Sequence, residues 1–382
     1  MPQPIYLDYN ASTPIAPEVL DSMTAVFRDV HGNALSTHAF GSAAREVVEK
    51  ARAEVASLIG AEPDEIVFTS GGTESNNAAV YGVAEALADR GRHMVITAIE
   101  HASIEQCCQV LERRGWAVTR VPVDPQGQID PRGIESAIRP DTALVSVMHA
   151  NNETGVIQPV AAAARAARAA GVPVHSDAAQ SLGKIRVNVR ELDVDLLSIA
   201  GHKLYAPQGV GALYLRRGTP FEPLMRGAGH QGNRRSGTEN VALSAALGAA
   251  AALAERELDS RRAHLQATRD RLETKLRAGF PALVIHGGGA KRLPNTSYAA
   301  FPGCDAQELL LRLDGIATGA GAACHSGKTT PSKVLLAMGV RPEIATATLR
   351  MTTGRATTEV EIDMVVGRLL AAVKALLAGS TT

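Results

Sequence analysis

Aromatic side chains are scarce: six Phe, six Tyr and one Trp make up 3% of 382 residues. A core this poor in rings has to be built from Ala, Val, Leu and Ile, which suits helices packed on a buried parallel sheet. Cysteine is scarce too. Cys107, Cys108, Cys304 and Cys324 are too few for a disulfide framework, and no C-x-x-C pair suggests zinc, so no metal site is expected. A reducing cytoplasm is the natural compartment. Neither sign of charge prevails, with 39 Lys and Arg against 39 Asp and Glu, which argues against a direct nucleic-acid partner and against polybasic attachment to a membrane. The longest uncharged Ala/Leu run, Val241 to Ala254, falls short of the roughly 20 residues of a membrane span. The opening residues Met1-Pro2-Gln3-Pro4-Ile5-Tyr6-Leu7-Asp8 lack the basic and apolar regions of a signal peptide.

What is present is a rhythm. Short β-branched runs (Glu65–Thr69, Met94–Thr97, Ala143–Val147, Val172–His175, Leu196–Ile199, Gly211–Leu215) alternate with Ala-rich helical stretches such as Val160 to Ala170. The pattern predicts an α/β fold, a mostly parallel sheet covered by helices on both faces. From Val241 to Ala278 the sequence is continuously helix-compatible and turns from apolar to charged near Ala254. A helix of that length enters a second core. The expected division is a large domain of residues 14–254 and a smaller α+β domain of residues 1–13 and 255–382, with Thr296–Ala300 as a strand and Val360–Leu377 as a closing helix.

Ligands of an open α/β sheet bind at the carboxyl ends of its strands, so the residues just after each run carry the information. Ser70-Gly71-Gly72-Thr73-Glu74 is a glycine turn entering a helix, suited to a phosphate or, equally, an ordinary capped turn. Glu100-His101 follows the second run, His149-Ala150-Asn151-Asn152-Glu153 the third and His175-Ser176-Asp177-Ala178-Ala179-Gln180 the fourth. A lone His or Asp at such a place is more often structural, the Asp as a helix cap. Gly201-His202-Lys203 sets a lysine directly after a buried strand, where lysine is rare unless paired or used. A phosphate turn, a histidine ring, an acid, an amide and a strand-end lysine together are the parts needed to hold pyridoxal 5'-phosphate (PLP).

In the order and spacing of these motifs the chain resembles the cysteine desulfurase and selenocysteine lyase family, class V, fold-type I PLP-dependent enzymes. The likeness runs from Tyr6-Leu7-Asp8-Tyr9-Asn10-Ala11-Ser12-Thr13-Pro14 to Leu349-Arg350-Met351-Thr352-Thr353-Gly354-Arg355. It implies that Lys203 is the Schiff-base lysine and that Gly72, Thr73 and His202 contact the cofactor phosphate. His101 would stack on the cofactor ring and shuttle protons, and Asp177 would partner the pyridine nitrogen. Gln180 and Asn152 would hold the phenolic oxygen and the substrate side. Thr238, in Arg235-Ser236-Gly237-Thr238-Glu239-Asn240, would reach the phosphate of a neighbouring subunit, which implies a homodimer. Arg350 would grip the substrate carboxylate, with Arg355 as the nearby alternative and Asn33 as a further contact.

The glycine- and hydroxyl-rich stretch 318–332 holds one cysteine and precedes an expected helix, Lys333 to Met338. It reads as a loop, and a thiol there beside His325 and Lys328 is biased toward the reactive thiolate. Cys107, Cys108 and Cys304 read better as small buried hydrophobes. The resemblance makes Cys324 the persulfide-forming residue, with L-cysteine converted to L-alanine and the sulfur passed to an acceptor protein, as in iron–sulfur cluster biogenesis. Three features depart from the common desulfurase pattern. Ala200 stands where relatives have a Ser phosphate ligand, His230-Gln231-Gly232 replaces Gln-Glu-Arg, and the cysteine sits in Gly321-Ala322-Ala323-Cys324-His325-Ser326. The first and third are closer to selenocysteine lyases acting on L-selenocysteine. An aminotransferase or lyase that makes no persulfide, and a silent scaffold, are the remaining readings.

Overall fold

The structure, a computed structural model, describes residues 4–320, 322–325 and 328–379, with the backbone alone for 322–325, 328 and 329. Seven strands form the main sheet: β1 Ile66–Thr69, β2 His93–Thr97, β3 Ala117–Val121, β4 Thr142–Ser146, β5 Val174–Asp177, β6 Leu196–Ala200 and β7 Gly211–Leu215. Their spatial order is β1-β7-β6-β5-β4-β2-β3. Strands β2 to β6 are parallel, and β7 runs antiparallel to both β1 and β6. Alternation places Ile66 and Phe68 in a cluster with Val48, Val55 and Leu247, and Val67 on the opposite face with Val80, Val83 and Ile104. Helices therefore cover both faces, and the expected α/β architecture is the one observed.

The expected strands are present within one or two residues. The fourth starts at Val174 rather than Val172 because Pro173 has no N–H to donate and offers only its carbonyl, which accepts from Val145 N at 3.1 Å. Strand β3 has no counterpart in the sequence reading. It is an edge strand carrying Thr119 and Arg120, and the Arg120 guanidinium reaches across to Glu105 and Glu112 at 2.9 and 2.8 Å, so its pattern is not that of a buried run.

A 39-residue helix, Val241–Gly279, joins the two cores. Asn240 starts it, its Oδ1 accepting from Leu243 N at 3.1 Å. Residues of its first half up to Ala254 pack in the large cluster, while Leu272 and Leu276 pack with Ile5, Leu7, Phe301 and Leu369. A four-stranded antiparallel sheet, with Thr348–Thr352 beside Thr296–Ala300, carries this second core, and helix Glu359–Gly379 closes it. The 318–332 stretch, expected as a loop, contains a short hairpin: Ala322–His325 pairs with Lys328–Pro331, Cys324 opposite Thr329. Helix Lys333–Ala337 follows, its first turn held by Ser332 Oγ. Among the described residues no helix is long and apolar enough to cross a membrane, and no cluster of three or more His, Cys, Asp or Glu is placed to hold a metal.

Candidate active site

The ends of β1, β2, β5 and β6 converge on a cavity of about 500 Å³. Its floor at β1 is the Gly71 turn leading into helix Gly72–Ala86. Gly71 has φ +150°, and a side chain there would meet nothing within 4 Å, so open space adjoins the free N–H groups of the helix start. Gly211 backs this turn closely: a Cβ on it would lie 2.7 Å from Gly71 Cα. Glu74 Oε2 accepts from Ser70 N at 2.8 Å and Oε1 from Arg235 Nε at 2.8 Å. Burial pushes the Glu74 carboxyl up, but these bonds outweigh it and hold it below the usual range.

At the end of β2, His101 caps helix Ala102–Arg113, its Nδ1 accepting from Ser103 N at 3.2 Å. A backbone N–H only donates, so a neutral His101 carries its proton on Nε2. Burial lowers the pKa of His101, Lys203 lowers it further and Asp177 opposes. Ser103 Oγ lies 2.7 Å from His101 Nδ1 and takes a 2.8 Å bond from Asn76 Nδ2, which also donates to Asp177 Oδ2 at 2.7 Å. The other Asp177 oxygen accepts from Ala179 N at 2.9 Å. A carboxylate that is only 6% exposed at the strand end is thus held by donors alone.

Lys203 closes the turn after β6. Thr13 fixes that turn from the N-terminal segment, its N and Oγ1 donating to His202 O at 2.8 and 2.9 Å. Burial lowers the Lys203 pKa, Arg350 adds to the fall and Asp177 opposes it. His202 is likewise lowered by burial and by Lys203. Asn152, beyond β4, presents its backbone oxygen to Asn10 Nδ2 at 3.2 Å and to Arg350 Nη1 at 3.1 Å. The next residue, Glu153, accepts at Oε2 from Tyr298 OH at 2.8 Å and from Ser332 Oγ, the cap of the helix that follows the Cys324 hairpin.

Gly72, Thr73, His101, Asn152, Asp177, Gln180, His202, Lys203 and Arg350 all line this cavity, as does Ala200 in place of the expected serine. Arg355 does not: it pairs with Glu257 at 2.8 Å and stacks on Tyr205. Thr238 and Asn33 are exposed and lie outside the lining of this single chain. The Cys324 side chain lies outside the described residues. Sequence reasoning passed over Asn10, Asn76 and Ser103, which also line the cavity; an uncharged amide or hydroxyl in a loop or at a helix start carries no signal of its own.

The residues present fit PLP. Open space at a helix start suits a phosphate, Asp177 a ring nitrogen, the His101 ring a flat face and Lys203 an aldehyde carbon. The buried Nε of Arg350 has no hydrogen-bond partner among the described residues, which leaves a donor for an anion. The cavity volume lies within the range of small-molecule sites.

Residues 5–365 match the aminotransferase class-V family. The chain is 45% identical over 363 residues to the cysteine desulfurase IscS of Anaeromyxobacter dehalogenans, covering 94% of this chain and 90% of that protein. It is 42% identical over 365 residues to the cysteine desulfurase IscS of Dictyoglomus turgidum, covering 95% and 93%. Among solved structures a NifS-like protein, 35% identical, superposes with a TM-score of 0.91 over 97% of this chain and 100% of its own. With its strand-end lysine and acid in place, the chain belongs to the class-V aminotransferases, among the PLP-dependent enzymes that include the cysteine desulfurases.

Proposed function

We propose that the cavity holds PLP on Lys203 and that the protein, a PLP-dependent cysteine desulfurase, converts L-cysteine to L-alanine and moves the sulfur onto Cys324. One observation carries the reading: Lys203, Asp177 and His101, from the ends of three strands, face a single cavity with Arg350 on its wall. When bound, PLP supplies an electron sink for the carbon it activates. The protein's own groups do the rest. The Gly72-Thr73 turn and His202 take the phosphate, and Asp177 keeps a proton on the ring nitrogen. Arg350 binds the substrate carboxylate through its fork. Lys203, half-buried and biased by desolvation toward the free amine, accepts the α-proton and returns a proton to Cβ. The Cys324 thiolate attacks the substrate sulfur, so the C–S bond breaks, an S–S bond forms and alanine leaves. Atoms balance: one thiol and one cysteine become one persulfide and one alanine.

The finer assignments belong to the same proposal. The chain works as a homodimer in which the exposed Thr238 meets the phosphate of the other subunit, with Asn33 supporting the substrate carboxylate. It acts in the cytoplasm and hands its sulfur to an acceptor or scaffold protein for iron–sulfur cluster biogenesis. The large domain spans residues 14–254, and the smaller, residues 1–13 and 255–382, carries the 318–332 segment; the two clusters that share helix Val241–Gly279 support this division. The selenocysteine lyase reading is not favoured by the relatives' names. Turnover of L-cysteine beside L-selenocysteine, with alanine and sulfide both measured, tests the function. No alanine from cysteine would overturn it.

A further inference from the structure

Lys184 is only 5% exposed, an unusual place for a lysine, and it lies one turn beyond Gln180 in the segment after β5. Its Nζ donates to Gln180 Oε1 and to Asn10 Oδ1, both at 3.0 Å. Gln180 Nε2 in turn donates to Asn10 O at 3.0 Å. The Asn10 amide is held on every side: Oδ1 also accepts from Asn295 Nδ2 at 3.0 Å, and Nδ2 donates to Thr296 Oγ1 at 2.9 Å and to Asn152 O at 3.2 Å. The same Asn152 oxygen accepts from Arg350. Four cavity residues, Asn10, Asn152, Gln180 and Arg350, are therefore tied into one network whose innermost donor is Lys184.

An amide has nearly the same shape either way round, so its orientation is decided by its partners. A lysine nitrogen donates to an oxygen in both protonation states, and here both partners are oxygens. Gln180 Oε1 is thereby committed to Lys184, one Nε2 hydrogen is committed to Asn10 O, and one N–H remains. We propose that Lys184 is a positioning residue that locks the Gln180 amide so that this N–H, and not the carbonyl, is what Gln180 offers to the cofactor oxygen. The inference rests on the reading that the cavity takes PLP and that Gln180 faces its phenolic oxygen. Burial, reinforced by Lys203 and Arg350, holds Lys184 well below the ordinary lysine range. A neutral amine has two hydrogens for two acceptors, so the lock does not depend on a charge.

A donor on an anionic oxygen stabilises the more negative form of the bound group, and its loss raises the pH at which that group gives up its proton. The test is a pH titration of the visible absorbance of the holoenzyme in wild type, Lys184→Met, Gln180→Leu and the double variant. Lys184→Met is expected to raise the midpoint by about one pH unit, as Gln180→Leu does, with the double variant no further shifted than Gln180→Leu alone. Additive shifts, or no shift in Lys184→Met, overturn the inference. Lys184→Gln, which keeps a donor without a charge, covers the case in which the Met variant does not fold. A midpoint near wild type supports the lock, and one raised as far as in Gln180→Leu overturns it. A wild-type chain with no visible band after adding PLP overturns the reading of the cavity itself, whereas failure of the lock alone leaves that band in place.

Discussion

Arg350 Nη2 lies 2.8 Å from Asp8 Oδ1, so the arginine on the second sheet is aimed by a residue from the N-terminal segment. With Nη1 on Asn152 O, two of its three nitrogens are occupied, and the buried Nε is left over. Arg350→Lys is expected to raise KM for cysteine roughly 10- to 100-fold, the worth of a charge-assisted hydrogen bond. Asp8→Asn should raise it less, by loosening the aim. Steady-state kinetics decide: a lower KM in Asp8→Asn would make Asp8 a competitor of the substrate rather than its guide.

Lys203 is half-buried among charges, and its amine has no hydrogen-bond partner among the described residues. Lys203→Ala should therefore leave circular dichroism and Tm unchanged or improved, abolish turnover, and end covalent attachment of the cofactor. Mass spectrometry after borohydride reduction reads the attachment. Retained attachment would place the covalent link on another lysine.

Asp177→Asn keeps one oxygen, for Ala179 N, and turns an NH2 toward Asn76, whose Oδ1, without a partner among the described residues, can rotate to accept it, so the site geometry should survive. It removes the charge that keeps a ring nitrogen protonated. The expected result is bound cofactor with exchange of the substrate α-hydrogen slowed on the order of 100-fold or more. Exchange near the wild-type rate would show that the electron sink does not need this acid.

How much of this was legible in the sequence depended on whether a residue's role is local. Lys203, three residues past the buried strand end Ile199-Ala200, could be read because buried strands do not lead into lysine without a reason. Lys184 could not: after Gly183 it looks like a solvated turn residue, and only the folded chain puts it under Gln180 and Asn10. Strand β3 was missed because edge position, not hydrophobicity, lets Arg120 sit there. Arg350 and Arg355 could not be told apart by spacing; in the fold Arg350 lines the cavity while Arg355 pairs with Glu257 on the long helix.

Glu100, the neighbour of His101, is a residue whose effect should appear in stability. Its Oε1 accepts from Thr97 Oγ1 and Met148 N, both at 2.8 Å, while Oε2 is buried without a partner among the described residues. Burial pushes its pKa up from 4.5 to about 8. Between these values the folded state binds the proton that the unfolded state has lost, so this group costs stability progressively as pH rises through the window and no further above it. Glu100→Gln should gain on wild type in chemical denaturation from pH 4.5 to 8 and then hold a constant difference. A difference independent of pH would show that the carboxyl is ionised throughout.

Cys324→Ala separates the two chalcogens. Sulfur is a poor leaving group and needs the thiolate as nucleophile, whereas selenium, more polarisable and more weakly bound to carbon, can leave unaided. The variant should lose essentially all activity on L-cysteine and keep a substantial part of that on L-selenocysteine, with the cofactor still bound. Sulfide release from cysteine near the wild-type rate would remove Cys324 from the reaction.

Helix Val241–Gly279, about 58 Å long at 1.5 Å per residue, is a single beam to which both cores are fastened. It is pinned mid-span, where Arg261 lies over the Tyr205 ring at 5.2 Å and Glu257 holds Arg355. Opening the cleft like a jaw, with Asp177 and Lys203 on one side and Arg350 on the other, would mean bending this beam or tearing out those pins. Movement is therefore expected in the short pieces hung from the frame, and the distance between Lys203, the proposed proton acceptor, and Arg350, the proposed substrate clamp, is set once, at folding.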